Sequence, residues 1–167
     1  MSDIIKSASH PDLLHTRFAS VADAEAITRL INTAFVVERD IFDGDRTSVD
    51  GVRAFLETGR FLVAEDSGGL AGCVHVELRG DRGYIGLLSV DPARQGYGLG
   101  RKLMDVAEKF FYQANCVAVD LRVVSTRAPL PAFYRHLGYA ETHRADVPVE
   151  ARPKVPCQFI CMSKTLG

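Results

Sequence analysis

A chain of 167 residues with a formal charge of −1 and 47% apolar residues has the length of one domain and enough apolar material for a core without disulfides or metal. The near-neutral charge excludes a general nucleic-acid binder, which needs a basic surface, while leaving room for a local basic pocket. No apolar run reaches the length of a membrane span, and the polar stretch from Met1 to Thr16 lacks the apolar centre of a signal peptide.

In chain order, residues 1–15 are aperiodic and read as a loose arm, with the domain expected over 16–167. Residues 16–19 suit a short first strand. Ser20 ahead of Asp23 and Glu25 predicts a helix start, and Ile27, Leu30, Ile31, Ala34 and Phe35 form its apolar stripe. An acidic loop follows from Glu38 to Asp50, then a short helix over 52–57 ended by Gly59. Residues 61–65, 70–78 and 84–90 read as three strands, with turns at 66–69 and 80–83; an antiparallel set is the economical arrangement. Leu99, Leu103, Val106, Ala107, Phe110 and Ala114 mark a long helix. The β-branched run 117–124 predicts a strand. Residues 131–137 predict a short helix, with Pro131 near its first turn and Gly138 past its end. A turn is expected over 152–156 and a last strand over 159–162.

Cysteine usage adds a compartment. Cys73 and Cys116 lie in apolar runs and read as small buried hydrophobes. Cys157 and Cys161 lack the spacing of a zinc site. No metal is expected, and a reduced, cytoplasmic protein is the default.

Residues 94–100 read Arg-Gln-Gly-Tyr-Gly-Leu-Gly, between a predicted strand and a predicted helix. Glycines at 96, 98 and 100 let backbone approach a ligand closely. The helix start beyond them offers unpaired N–H groups and a partial positive charge, a cradle for phosphate or pyrophosphate. Arg101 and Lys102 add positive charge where a helix dipole disfavours it, which a bound anion would compensate. The plain alternative is a glycine-rich turn with solvated basic residues. The P-loop lysine is absent, and the dinucleotide fingerprint fails at Arg101. Asp120 lies near the spacing of a ribose-binding acid but falls in mid-strand.

The run from Leu87 to Leu103, with Gln95, Gly98 and Gly100, closely resembles the central motif of the GCN5-related N-acetyltransferase (GNAT) superfamily. The run Phe133-Tyr134-Arg135-His136-Leu137-Gly138-Tyr139 is similar to a second signature of that family, and the resemblance extends from about Thr16 to the C-terminus. The chain departs from the pattern at Arg127, where the family often has asparagine. The resemblance implies a single α/β domain with a mixed sheet of six or seven strands, flanked by helices, whose splayed central strands form a coenzyme cleft. It implies that backbone at Leu88, Ser89 and Val90 meets the pantetheine arm of acetyl-coenzyme A. Gln95, Gly96, Tyr97, Gly98, Leu99, Gly100 and Arg101 would then hold its pyrophosphate. It implies direct attack by an amine of a small molecule or peptide in a ternary complex, with Tyr134 as general acid; packing beside Phe133 and Tyr139 is the alternative role for that ring.

A general base is less marked. Cys73, His75 and Glu77 alternate to one face of a predicted strand; Glu77 is the first candidate and His75 the second, with solvated surface as the alternative for each. In the resembling family the loop after the first helix borders the acceptor, so Glu38 and Asp40 are candidate contacts for a cationic amine. A non-catalytic coenzyme A-binding sensor or interaction module is the competing function. Neither a nucleic-acid nor a membrane partner is expected, and the oligomeric state is open, a homodimer included.

Overall fold

The computed structural model describes residues 14–167. Of the arm expected over 1–15, Leu14 and His15 alone fall within them, and His15 already opens the first strand. The elements run β1 (His15–Phe18), α1 (Ala24–Ala34), α2 (Val49–Thr58), β2 (Arg60–Asp66), β3 (Gly69–Arg79), β4 (Arg82–Val90), α3 (Leu99–Gln113), β5 (Ala118–Val124), α4 (Pro129–His136), β6 (Ala140–Asp146) and β7 (Gln158–Thr165). The strands form one seven-stranded sheet in the order β1-β2-β3-β4-β5-β7-β6. Every neighbouring pair is antiparallel except β4 and β5, which run parallel. Among the described residues no helix is long and apolar enough to cross a membrane.

The helices start and stop for local reasons. Ser20 and Asp23 cap the turn that leads into α1, Ser20 N–H donating to Asp23 at 2.8 Å. Helix α2 begins earlier than its apolar stripe predicts because Ser48 is its N-cap, accepting from Gly51 N–H at 3.0 Å. One face of the sheet packs α1 and α2 over Ile27, Ile31, Val52, Phe61, Val63 and Cys73. The other packs α3 and α4 over Val74, Val76, Leu103, Phe111, Val119 and Tyr134. The predicted alternation along β3 holds, with Cys73 and His75 on one face and Val74 and Val76 on the other. A Cβ at Gly83 would overlap the Phe111 ring, so glycine there lets α3 lie close on β4.

Two irregularities shape the centre of the sheet. Strand β4 carries a bulge: His75 pairs with Gly86 but Cys73 pairs with Ser89, so β4 holds one more residue than β3 across that span. Leu87, in the bulge, takes φ +55°, a left-handed conformation that costs a non-glycine residue energy. Second, β4 and β5 pair over Arg82↔Ala118, Gly83↔Val119 and Tyr84↔Asp120 and no further. Beyond this closed end, residues 85–90 and 121–124 diverge. The splay expected from the family resemblance is thus present.

The closed end is clamped. Arg82 donates to both oxygens of Asp120 at 2.7 Å and to Ser163 on β7 at 2.9 Å. This bond, more than the burial that opposes it, holds the Asp120 carboxyl below the usual carboxylate range. Asp120 therefore serves the sheet, as its mid-strand position suggested. Replacing Asp120 by asparagine should lower stability at neutral pH by about 1 kcal/mol, the pair being partly exposed. Because the folded-state pKa is depressed, the deficit should be full above the unfolded value of about 4 and vanish as pH falls through the folded value. Urea unfolding of both proteins at several pH values measures it.

Candidate active site

Where β4 and β5 part, the structure opens a cleft of about 910 Å³, within the range typical of small-molecule sites. Its walls come from both strands, from the loop and first turn of α3, from α4, from β3, and from Phe55 of α2. Its roof is made by two loops, the one after α1 and the one between β6 and β7. These are joined by a bridge between Phe42 and Pro153 and by backbone bonds from Asp43 N–H to Arg152 O and from Lys154 N–H to Ile41 O.

The glycine loop is built as an open cradle. Gly96 takes φ +90° and Gly98 φ +78°, and Gly98 is the N-cap of α3. Both lie in the left-handed region, and neither would bring a Cβ within 4 Å of another group. The space beside this backbone is empty of protein. The first intrahelical bond at this end runs from Lys102 N–H to Gly98 O at 3.0 Å, so the N–H groups of residues 99–101 precede it. Unfilled space, unpaired donors and the positive end of a fifteen-residue helix together suit a pyrophosphate. The chain's own residues thus fit a coenzyme with that group. Gly100 differs: a Cβ there would touch Phe133 at 3.6 Å and Val90 at 3.8 Å, ordinary contacts.

Of the loop residues singled out from sequence, Leu88, Val90, Gln95, Gly96, Gly98, Leu99, Gly100 and Arg101 line the cleft. Ser89 and Tyr97 do not. The Ser89 side chain is buried and donates to Leu87 O at 3.0 Å, because the bulge turns it to the α1–α2 side. Tyr97 stands at the loop tip, 69% exposed.

Tyr134 lines the cleft from α4. Its ring packs edge-on against Phe133 at 5.0 Å and Tyr139 at 6.0 Å. Its hydroxyl makes no hydrogen bond among the described residues. Burial pushes its pKa above the ordinary tyrosine value; nearby Arg127 opposes that rise and Glu38 adds to it. It therefore keeps its proton through the neutral range. Packing and an available proton coexist in this one side chain.

The β3 wall carries the base candidates. Glu77 lines the cleft, but both its oxygens accept from Arg79, at 3.1 and 3.4 Å. His75 is buried between Phe55 and Phe61, and its Nε2 lies 2.8 Å from the Phe55 carbonyl. A carbonyl only accepts, so Nε2 carries the proton and Nδ1 keeps the lone pair. Burial pushes the His75 pKa below the ordinary histidine value, more than the Phe55 bond raises it, so the imidazole is neutral at pH 7.

The acidic loop is not the field of negative charge its composition suggested. Glu38 lines the cleft, buried, and accepts from Arg127 at 2.8 Å. The departure from the family pattern at Arg127 thus has a partner in this chain. Asp45 is paired with Arg39 at 3.5 Å. Asp40 is exposed and does not line the cleft, since the turn after Glu38 carries it to the outer surface. Sequence reasoning passed over Arg46 and Arg122, which also line the cleft. Arg122 was legible, standing between the buried Leu121 and Val123 in an alternating strand; Arg46 in an irregular loop carried no signal.

Among the described residues no group of three or more His, Cys, Asp or Glu side chains is placed to hold a metal ion, and the four cysteines are free thiols. Burial pushes the Cys73 thiol up to about 12.

The profile of the acetyltransferase (GNAT) domain matches residues 57–141, from the end of α2 through β6's first residues. An IAA acetyltransferase of Azospirillum brasilense is 32% identical over 84 residues, 49% of this chain and 55% of that protein. A mycothiol acetyltransferase of Amycolatopsis mediterranei (strain U-32) is 28% identical over 141 residues, 78% of this chain and 46% of that protein. The chain spans about half the length of these curated relatives. The structure of yncA from Salmonella typhimurium, determined with its cofactor acetyl-CoA, superposes with a TM-score of 0.74 at 24% identity, over 93% of this chain and 95% of that one; at that identity the likeness is one of fold.

Proposed function

The chain belongs to the GNAT acetyltransferase family, and from that premise we propose that it moves an acetyl group from acetyl-coenzyme A to an amine of a small molecule or peptide. The observation that carries this reading is a single cleft that joins three parts. These are the splay between β4 and β5, the glycine cradle at one end of it, and the Tyr134 hydroxyl in its wall. When bound, the coenzyme supplies an activated acetyl thioester. Backbone N–H groups of residues 96–101 hold its pyrophosphate, and Arg101 adds charge. Because the β4–β5 pairing ends at Tyr84, the β4 backbone at residues 88–90 has no β5 partner and is open to the pantetheine arm.

Tyr134 stands as the proton donor to the leaving sulfur, protonated at working pH because burial raises its pKa. Glu77 is the first candidate on the β3 wall to accept the amine's proton, and His75 the second. Glu77 takes it once its pair with Arg79 opens, and His75 through Nδ1. The cleft brings the amine to the thioester directly, so no acyl-enzyme is needed. The four free thiols suit a reducing compartment such as the cytoplasm.

The same cleft without turnover would make a coenzyme A sensor. Thiol release from acetyl-coenzyme A, followed across a panel of amines and short peptides, separates the two. Amine-dependent release is the expected result. Tight coenzyme binding with no release for any acceptor would leave the sensor.

A further inference from the structure

Seven arginines line the cleft: Arg101 stands at the glycine cradle, Arg152 lies in the roof beside Gly44, and the other five fall into two sets. Arg39, Arg79 and Arg127 each face a carboxylate, on Asp45, Glu77 and Glu38. Arg46 and Arg122 make no ion pair among the described residues. Each leans instead on an aromatic ring, Arg46 on Phe35 at 5.5 Å and Arg122 on Phe159 at 4.2 Å. Such contacts orient a guanidinium without neutralising it.

These two charges face the same space. Arg122 reaches the cleft because Leu121 and Val123 on either side of it are buried in the opposite layer. Arg46 descends from the roof loop. It keeps exposed surface while lining the cleft, and the partial enclosure disfavours its charge; Glu38 favours the charge and Arg122 opposes it. Glu38, however, is already bonded to Arg127. Two like charges lining one concave site, one disfavouring the other, are costly unless an opposite charge joins them.

The coenzyme's phosphates do not supply that charge. Arg46 and Arg122 lie within electrostatic reach of Tyr84, near the closed end of the splay. The glycine cradle lies past Val90, and six residues of strand span roughly 20 Å. The carboxylates free of ion pairs that line the cleft, Asp43 and Glu150, are exposed on the roof.

We propose that the acceptor carries, besides its amine, an anionic group, a carboxylate or a phosphate, which Arg46 and Arg122 hold. Guanidinium forks fit either group with paired hydrogen bonds. This rests on the amine-acetylating reading above and narrows it, replacing the cationic acceptor expected from the acidic loop.

The test uses matched acceptors in the thiol-release assay: glycine, glutamate and β-alanine against their primary amides, and phosphoethanolamine against ethanolamine. The anionic members should show KM lower by about ten-fold or more, the size expected of one charge-assisted pair. The carboxylate and phosphate arms show which anion the site takes. Arg46→Met and Arg122→Met should each erase the preference while leaving the KM for acetyl-coenzyme A unchanged. Equal use of amides, preference for a polyamine, or undiminished discrimination in both variants would overturn the proposal. Calorimetry with N-acetylglycine, N-acetylglutamate, N-acetyl-phosphoethanolamine and their neutral counterparts, on protein loaded with coenzyme A, reads the same preference without turnover. Anion-selective binding with no turnover would remove the catalytic reading alone. Absence of that selectivity in binding would remove this proposal, whatever the turnover.

Discussion

Replacing Gly98 by valine is expected to weaken acetyl-coenzyme A binding by about two orders of magnitude, the scale of losing several charge-assisted phosphate contacts, while the protein stays folded. Gly98 holds φ +78° at the N-cap of α3, a conformation that costs a β-branched residue roughly 1–2 kcal/mol. That cost alone lowers the melting temperature by a few degrees in a domain of this size. No protein atom lies within 4 Å of the new Cβ, so the folded chain has room for it. The room it fills is the cradle. Binding and folding therefore part company at this residue, and calorimetry beside a melting curve reads both. A folded variant with wild-type affinity would show that the pyrophosphate lies elsewhere. At Gly100 the separation is poorer, because a large side chain there also presses on Phe133 and Val90.

Tyr134→Phe should lower kcat by at least about ten-fold, the lower end of what a lost general acid costs, with coenzyme affinity unchanged. The ring and its packing remain, and the lost hydroxyl bonds nothing among the described residues, so no buried partner is orphaned. Stability should match the wild type. The pH profile gives an independent sign. Burial raises the tyrosine pKa in the folded protein, so the acid is in place below the ordinary value of about 10 and fails only as pH rises through the raised one. Wild-type kcat/KM should therefore climb through the neutral range as the amine loses its proton, with no fall before about pH 10. Unchanged single-turnover rates in the variant would reduce Tyr134 to a packing residue.

How much of this was legible before the structure differs by element, for physical reasons. The helices and the five inner strands announced themselves because each has a buried stripe or face to satisfy. Strand β6 did not. Its residues are almost all exposed, so no apolar alternation records it; pairing with β7 at the sheet edge holds it. The glycine cradle was visible because backbone chemistry demands a residue type. The occupancy of charged side chains was not, since partners come from distant segments: Glu38 finds Arg127, and Asp66 finds Arg94. Composition therefore suggested an acidic loop where pairing leaves the balance with arginine. Asp40 shows the same limit, for a turn of one residue decides between cleft and outer surface.

The bulge at Leu87 makes β4 a strand whose side-chain parity changes part-way. Before it, Gly83 and Ile85 point to the α3 layer and Tyr84 to the cleft; beyond it, Leu87 joins the α1–α2 cluster while Leu88 and Val90 pack toward α3. Such a strand behaves like a reading frame. A substitution at 87 or 88 alters one word, whereas removing either residue shifts every later side chain into the opposite layer and erases the break in the β3–β4 ladder. The constrained quantity is thus the number of residues between Gly86 and the glycine loop, more than their identity. Descendants of this chain can change acceptor by exchanging side chains on β3, β5 and the roof, but insertions and deletions in this stretch are closed to them.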